Sequence, residues 1–330
     1  LGLSLISIDQ YDPPSTYLMA FLTGLFNTLR LSLFSIILGT IVGFIIGIGR
    51  LSNNWLIRSL SVTFIEITRN VPLLLQLFFW YFGIMLALPN VHESLIIGDI
   101  LILNNRGISM PSPTIQEGFQ WFMLATLGSI IGTAFYIKHT RHEYTTGTLR
   151  VSTTAPILAV LIGIPIMTWF ITGRPIDFDH PELGRFNYWG GINLTPEFSA
   201  MLIGLTLYSG GFIAEIVRSG IQAIPHGQTE AARALGLTRW DTLRLVVLPQ
   251  ARRIMIPPLT STYLGTIKDS SLGVAVGYPE LVTISGTIID ASGQAIENLL
   301  ILIVFYMSVT LIVSAAMSMY ATRIRTRTHS

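Results

Sequence analysis

Long stretches without a charged side chain dominate this sequence. Asp, Glu, Lys and Arg are absent from Leu31 to Gly49, Val71 to Leu88, Phe119 to Ile137, Val151 to Gly173, Phe198 to Ala214, Ile254 to Ile267 and Asn298 to Thr322. A hydrocarbon core of about 30 Å takes about 20 apolar residues at about 1.5 Å each, so these stretches predict about seven transmembrane helices. The 14 residues from Ile254 to Ile267 fall short and must recruit polar neighbours, whereas the 25 from Asn298 to Thr322 exceed the need. The expectation is an all-α integral membrane protein.

The polar intervals set its orientation. One set of connections carries fourteen of the twenty basic residues, including Arg50 and Arg58, Lys138 to Arg150, Arg218 to Arg253, and Arg323 to Arg327. The alternate set carries Arg106, Arg174 and Arg185, together with most of the acidic residues. Basic residues beside spans stay on the cytoplasmic side, which predicts the N-terminus outside and the C-terminus inside. Two longer loops near 89–118 and 174–197, rich in Pro, Gly and Asn, then fall outside and read as irregular lobes. The first apolar helix has no small-residue cleavage site after it, so no removable leader is expected.

Composition agrees with this picture and removes other classes. Of 330 residues, 51% are hydrophobic and 12% charged, and mean hydropathy is +0.61. A soluble globule usually carries about twice that charge. The net charge of +2 does not indicate a nucleic-acid binder. Without cysteine there is no disulfide, thiolate catalysis or zinc ribbon. The two lysines, Lys138 and Lys268, follow no Gly-rich phosphate loop, so the chain holds no ATP by itself. No catalytic constellation stands out, and His139 and His142, on a basic loop, lack the further ligands of a metal site.

The one long cytoplasmic segment has its own grammar. Between Pro225 and Pro249, the helix formers Glu230 to Leu235 precede Gly236, which suits a left-handed helix stop. Thr238 and Asp241 then resemble a capping box opening a second helix, which Pro249 is expected to end. Trp240, Leu243 and Val247 fall on one stripe of it. Gly236 is the corner of a helix pair shaped like a docking knob.

Glu230-Ala231-Ala232, Gly236 six residues after Glu230, and Leu248-Pro249 together resemble the EAA loop of ABC-importer permeases, with Val246 where that motif often has Ile. In that family the loop (225–250 here) is a coupling helix seated in a separate ATPase subunit. Glu66-Ile67-Thr68-Arg69-Asn70-Val71-Pro72 through Gln76, Asn27-Thr28-Leu29, and Lys268-Asp269-Ser270-Ser271-Leu272 resemble the polar amino acid branch of the same permeases. The resemblance divides the chain into core 17–88, an insert 89–197 with two extra spans, and core 198–322. Larger members with such an insert resemble general L-amino acid or glutamate/aspartate permeases. The resemblance implies two ATPase subunits carrying ATP-Mg, a second homologous and non-identical permease subunit, an external or periplasmic binding protein, an amino acid substrate, and a multi-pass place in the bacterial inner membrane.

Individual residues carry two readings each. Glu66 and Arg69, like Glu215 and Arg218, are spaced i, i+3 and suit structural ion pairs. Pro72 is expected to bend the helix, and Gln76 then places polarity where it lines a path or packs. Lys268 and Asp269 interrupt an apolar helix, where ionisable groups are costly unless paired, wetted or functional. Adjacent residues do not face each other on a helix, so each needs its own partner. With Ser270 they form a candidate substrate path, the competing reading being contact with a loop. Gly39, Gly43 and Gly47 lie on one helical face and let another helix approach closely. The function expected is therefore a permease subunit of an ATP-driven amino acid importer. The rival is an ion-coupled secondary transporter, which explains an intramembrane charge pair but not the Glu-Ala-Ala corner.

Overall fold

The computed structural model describes residues 16–98, 100–145 and 157–326. The expected turn up to Arg150 and the opening of the span expected from Val151 lie outside the described residues, as do the side chains of His139 and His142. Thr16 accepts a hydrogen bond from the Met19 N–H and starts α1 (Tyr17–Arg50). Asn54 similarly caps α2 (Trp55–Asn70) through the Leu56 N–H, at 2.9 Å. Pro72 then turns the chain into α3 (Leu73–Phe78), which continues as a π-helix over Phe79–Met85. The bend between α2 and this second piece is 107°. Gln76 holds it: its amide nitrogen donates to the carbonyls of Thr68 at 2.9 Å and Val71 at 2.8 Å, groups that the end of α2 would leave bare.

The polar lobes are not irregular. They contain β1 (Leu95–Ile97), β2 (Leu101–Asn104), β3 (Gly107–Met110) and β4 (Ser112–Ile115), then β5 (Ile176–Asp179), β6 (Glu182–Leu183), β7 (Tyr188–Trp189) and β8 (Ile192–Leu194). Strand β4 pairs antiparallel with β5, Ser112 opposite Asp179, and β6 pairs with β7. The expectation of an all-α chain is thus corrected to a mostly helical one, because the alternation in Ile176-Asp177-Phe178-Asp179 is a strand pattern too short to register beside the apolar helices. Between the lobes run α4 (Phe119–Thr145) and the apolar α5 (Ala159–Ile171), joined by an edge-on contact of Phe122 and Trp169 with ring centroids 5.6 Å apart.

Pro196 occupies the first turn of α6 (Pro196–Gln222), where its missing N–H costs nothing, and Thr195 accepts from the Phe198 N–H. The elbow follows as α7 (His226–Ala234) and α8 (Arg239–Asp241), then a π-helical stretch Thr242–Val247 and α9 (Leu248–Asp269). Pro249 does not end this helix, contrary to expectation: it falls in the first turn of α9, directly after the π stretch, where a proline is tolerated. After a 3₁₀ segment, Ser270–Val276, and Gly277 at φ +76°, come α10 (Leu281–Ser292) and α11 (Ala295–Thr326).

Among the described residues, four helices are long and apolar enough to cross a membrane, or six if each of two bent pairs is one span. Of the seven uncharged stretches, Val71–Leu88 is the second arm of a bent pair, and the fourth is described only in part, as α5. The chain divides into two compact units, one holding Ile96–Ile102 with Ser109–Asn193 and the other the remaining helices. In the latter, α6 is the most buried helix and packs along α1. Gly39, Gly43 and Gly47 form that seam within the chain: a Cβ on Gly43 would sit 2.6 Å from Ile213 Cβ, and one on Gly47 2.6 Å from the Ala214 carbonyl oxygen. One apolar cluster, Leu31, Leu77, Phe198, Met201 and Tyr278, fills one end of α6, and another, Ile213, Val217, Val247, Ala251 and Met255, fills the elbow end.

Candidate functional site

At the elbow, α7 closes with a Schellman pattern: Gly236 N–H donates to the Arg233 carbonyl at 2.9 Å and Leu237 N–H to the Ala232 carbonyl at 3.1 Å. This requires the left-handed conformation, and Gly236 has φ +81°. Thr238 then accepts from the Asp241 N–H at 3.1 Å while its hydroxyl donates to the Asp241 carboxylate at 2.6 Å. Ala232 is buried, whereas Glu230, Ala231, Gly236 and Pro249 are exposed and Leu248 is half-buried. The expected inward stripe is only partly formed: Val247 is buried and Leu243 packs beside it, but Trp240 is 66% exposed. Together with Leu235 and Leu245, also exposed, Trp240 presents apolar surface in an otherwise polar segment.

An ion-pair cluster stands in the last turns of α6, which lead into the elbow. Glu215 of α6 takes the Nε of Arg218 at 3.0 Å and 3.1 Å, and also pairs with Arg50 at the end of α1. The i, i+3 pair expected here therefore forms and gains a third member from another helix. Gln250 bridges the Gln228 side chain of α7 at 3.3 Å and the Val246 carbonyl at 3.1 Å. The other expected pair does not form. Glu66 instead accepts from Asn70 at 3.0 Å, and the Arg69 guanidinium lies over the Phe212 ring, 5.4 Å from its centroid.

The candidate path residues lie where α9 passes into the 3₁₀ segment, which packs against α3. Lys268 is exposed, Asp269 half-buried and Ser270 fully buried, its hydroxyl donating to the Ile267 carbonyl at 2.6 Å. Gln76, on α3, spends its amide nitrogen on the α2–α3 bend.

A second polar site went unread in the sequence. Just beyond the 3₁₀ segment, Tyr278-Pro279-Glu280-Leu281 is clamped by Asn27-Thr28-Leu29-Arg30 of α1. Asn27 donates to the Pro279 carbonyl at 2.9 Å, Thr28 accepts from the Leu281 N–H at 3.1 Å, and the Arg30 guanidinium reaches the Tyr278 hydroxyl at 3.4 Å while lying 4.5 Å from the Phe198 ring centroid. Glu280, wholly buried, caps α10 by accepting from Val282 N–H at 2.9 Å and Thr283 N–H at 2.8 Å, and Tyr306 of α11 donates to it at 3.4 Å. The signal available was Pro-Glu directly before an apolar helix, an N-cap pattern. Glu280→Ala is expected to lower stability by about 2 kcal/mol, since it removes a cap and one of the partners of the Tyr306 hydroxyl. Thermal unfolding in detergent checks this, with Glu280→Gln, which keeps an acceptor oxygen, losing less.

Among the described residues, no three His, Asp or Glu side chains gather as metal ligands. The described elements thus give a closed corner with apolar exposure at one end of α6, and a pinned, partly polar helix break at the other.

Comparison with known proteins gives these features a context. The family described as "Binding-protein-dependent transport system inner membrane component" matches residues 125–326. The chain is 42% identical to the General L-amino acid transport system permease protein AapQ of Rhizobium johnstonii, over 97% of this chain and 79% of that protein. It is 35% identical to the Glutamate/glutamine/aspartate/asparagine transport system permease protein BztB of Rhodobacter capsulatus, over 95% of this chain and 81% of that protein. Its fold resembles that in the "Crystal structure of an amino acid ABC transporter with histidines", with TM-score 0.57 and 22% identity over 93% of this chain and 95% of the other.

Proposed function

The chain belongs to the family of binding-protein-dependent transport system inner membrane components, transport rather than catalytic subunits, and from that premise we propose that it is a permease subunit of an ATP-driven importer of polar or general L-amino acids. Separate ATPase subunits hydrolyse the ATP. A second, homologous and non-identical permease completes the path, and an external binding protein delivers the substrate. The N-terminus faces outside, 17–88 and 198–322 form the permease core, and 89–197 is an insert carrying the outer lobes.

The observation that carries this reading is the elbow. Glu230, Ala231, Ala232, Gly236, Leu248 and Pro249 form a fixed corner whose exposed face adjoins Leu235 and Trp240, while the Arg50–Glu215–Arg218 cluster ties α1 to α6 shortly before it. Force applied by an ATPase to α7 would pass directly into the two most closely packed helices. Alternating access then follows from the different affinities of the two states for nucleotide and binding protein. In this reading Gln76, Lys268, Asp269 and Ser270 border the substrate path, at the helix break next to the clamp.

The test is reconstitution. Vesicles holding this chain with its partner permease and ATPase should import labelled glutamate or another L-amino acid only with ATP inside and binding protein outside. An Ala231→Cys variant should cross-link to the ATPase. Uptake driven by an ion gradient and indifferent to ATP would instead establish the secondary-transporter reading.

A further inference from the structure

Beside the elbow, a cavity of about 1040 Å³ opens between the α1–α2 turn, the end of α6, α7 and the π-helical stretch. Its walls include Ile45, Ile48, Ile57, Ile221, Leu243 and Val247, and its polar lining includes Asn53, His226, Thr229 and Arg233. No carboxylate lines it. Arg233 has no ion pair among the described residues, although Glu230 stands one turn earlier on the same helix. The cavity thus offers a guanidinium and several hydrogen-bonding groups to an anion, over an aliphatic floor that a small soluble anion would not use.

That floor continues outward. Ile45 and Ile48 are 65% and 40% exposed, and with Leu33, Ile37 and Ile41, also exposed, they form a stripe along one face of α1 at helical spacing. On a spanning helix such a stripe is a lipid-facing surface. Arg50 ends the same helix, which places the cationic lining at the depth of the headgroups. A molecule that satisfies both halves has an anionic phosphate at one end and acyl chains at the other, and basic pockets between helices on the cytoplasmic side suit such headgroups.

We propose that this groove binds an anionic phospholipid of the cytoplasmic leaflet, its phosphate on Arg233 and its chains along the Ile45–Ile48 stripe, bracing the α1–α2 turn against the coupling helix. The proposal rests on the permease reading for the sidedness of the elbow. It differs from ATPase docking, which would use the exposed Leu235–Trp240 face rather than the aliphatic floor.

The experiment is native mass spectrometry of the purified transporter complex, titrated with phosphatidylglycerol or phosphatidylethanolamine of identical chains. Phosphatidylglycerol should be retained in preference. Arg233→Gln should cut that retention about fivefold, the factor that one basic residue near an anionic lipid is worth, whereas Arg233→Lys should keep most of it with the same unfolding temperature. Inorganic phosphate should not displace the lipid. Equal retention of both lipids, retention indifferent to Arg233→Gln, displacement by phosphate alone, or an Asn53→Cys cross-link to the ATPase in place of lipid would each overturn the proposal. ATP-driven uptake measured on the same preparation tests the permease reading separately, because lipid retention needs no turnover.

Discussion

A Gly236→Val variant is expected to reach the membrane and bind its ATPase subunits, yet to import substrate about tenfold more slowly than the parent. Gly236 has φ +81°, and no atom lies within 4 Å of where a Cβ would be, so a larger side chain meets no neighbour. The penalty is in the backbone, about 1–2 kcal/mol for an L-residue held in the left-handed region and more for a β-branched one. Relaxing it means leaving that region, which breaks the two hydrogen bonds closing α7 and swings α7 relative to α8. A lever with a changed angle delivers the ATPase movement to the wrong place, and each 1.4 kcal/mol misdirected is a factor of ten. ATP hydrolysis and uptake should be measured on the same vesicles: hydrolysis persisting while uptake falls is the uncoupled result. Gly236→Asn, which tolerates the left-handed region, should fall between. Parental uptake by the Val variant would show that the corner is not the lever.

The second large effect is on folding. Gly47→Val is expected to cost about 3 kcal/mol or more and to leave little folded protein, at the upper end of what overpacking usually costs. The new Cβ would lie 2.6 Å from the Ala214 carbonyl oxygen and 2.8 Å from Val217 Cβ. A carbonyl in mid-helix cannot turn aside, so α1 and α6 must separate along the seam that Gly39 and Gly43 also form. Gly128→Val on α4, where nothing stands within 4 Å, is the matched control and should change stability by under about 1 kcal/mol, because Val is no worse a helix former than Gly. Recovery from the membrane and unfolding temperature in detergent give the comparison. Equal behaviour of the two variants would mean that the seam is loose.

Apolar runs made the long helices legible, because a hydrocarbon solvent demands length and charge-free composition together. They misled at the bends. Val71–Leu88 satisfies a hydropathy count, but Pro72 turns the chain by 107° and leaves only Leu73–Met85 beyond it. The strands of the lobes escaped for the opposite reason, each being only two to four residues long. At the site, Gly236 and the Thr238–Asp241 cap were readable because capping is local chemistry. Whether Glu66 would pair with Arg69, and Glu215 with Arg218, was not. Both pairs have the same spacing, but Phe212 offered Arg69 a ring and Arg50 joined Glu215 from a remote helix. The clamp was hidden for the same reason. Asn27-Thr28-Leu29 could be recognised as a motif, but its partners stand about 250 positions later, and no periodicity links the two.

That separation sets the order of biogenesis. Asn27 and Thr28 belong to the first described helix, yet the segment that they bond is not synthesised until more than 250 residues later. A ribosome adding about 5–20 residues per second needs on the order of 10–50 seconds to reach it. Throughout that interval the helix must keep an amide and a hydroxyl solvated by water, headgroups or an insertion chaperone rather than by lipid tails. Chains interrupted before Pro279 would lack both bonds, a ready mark for membrane proteases to find.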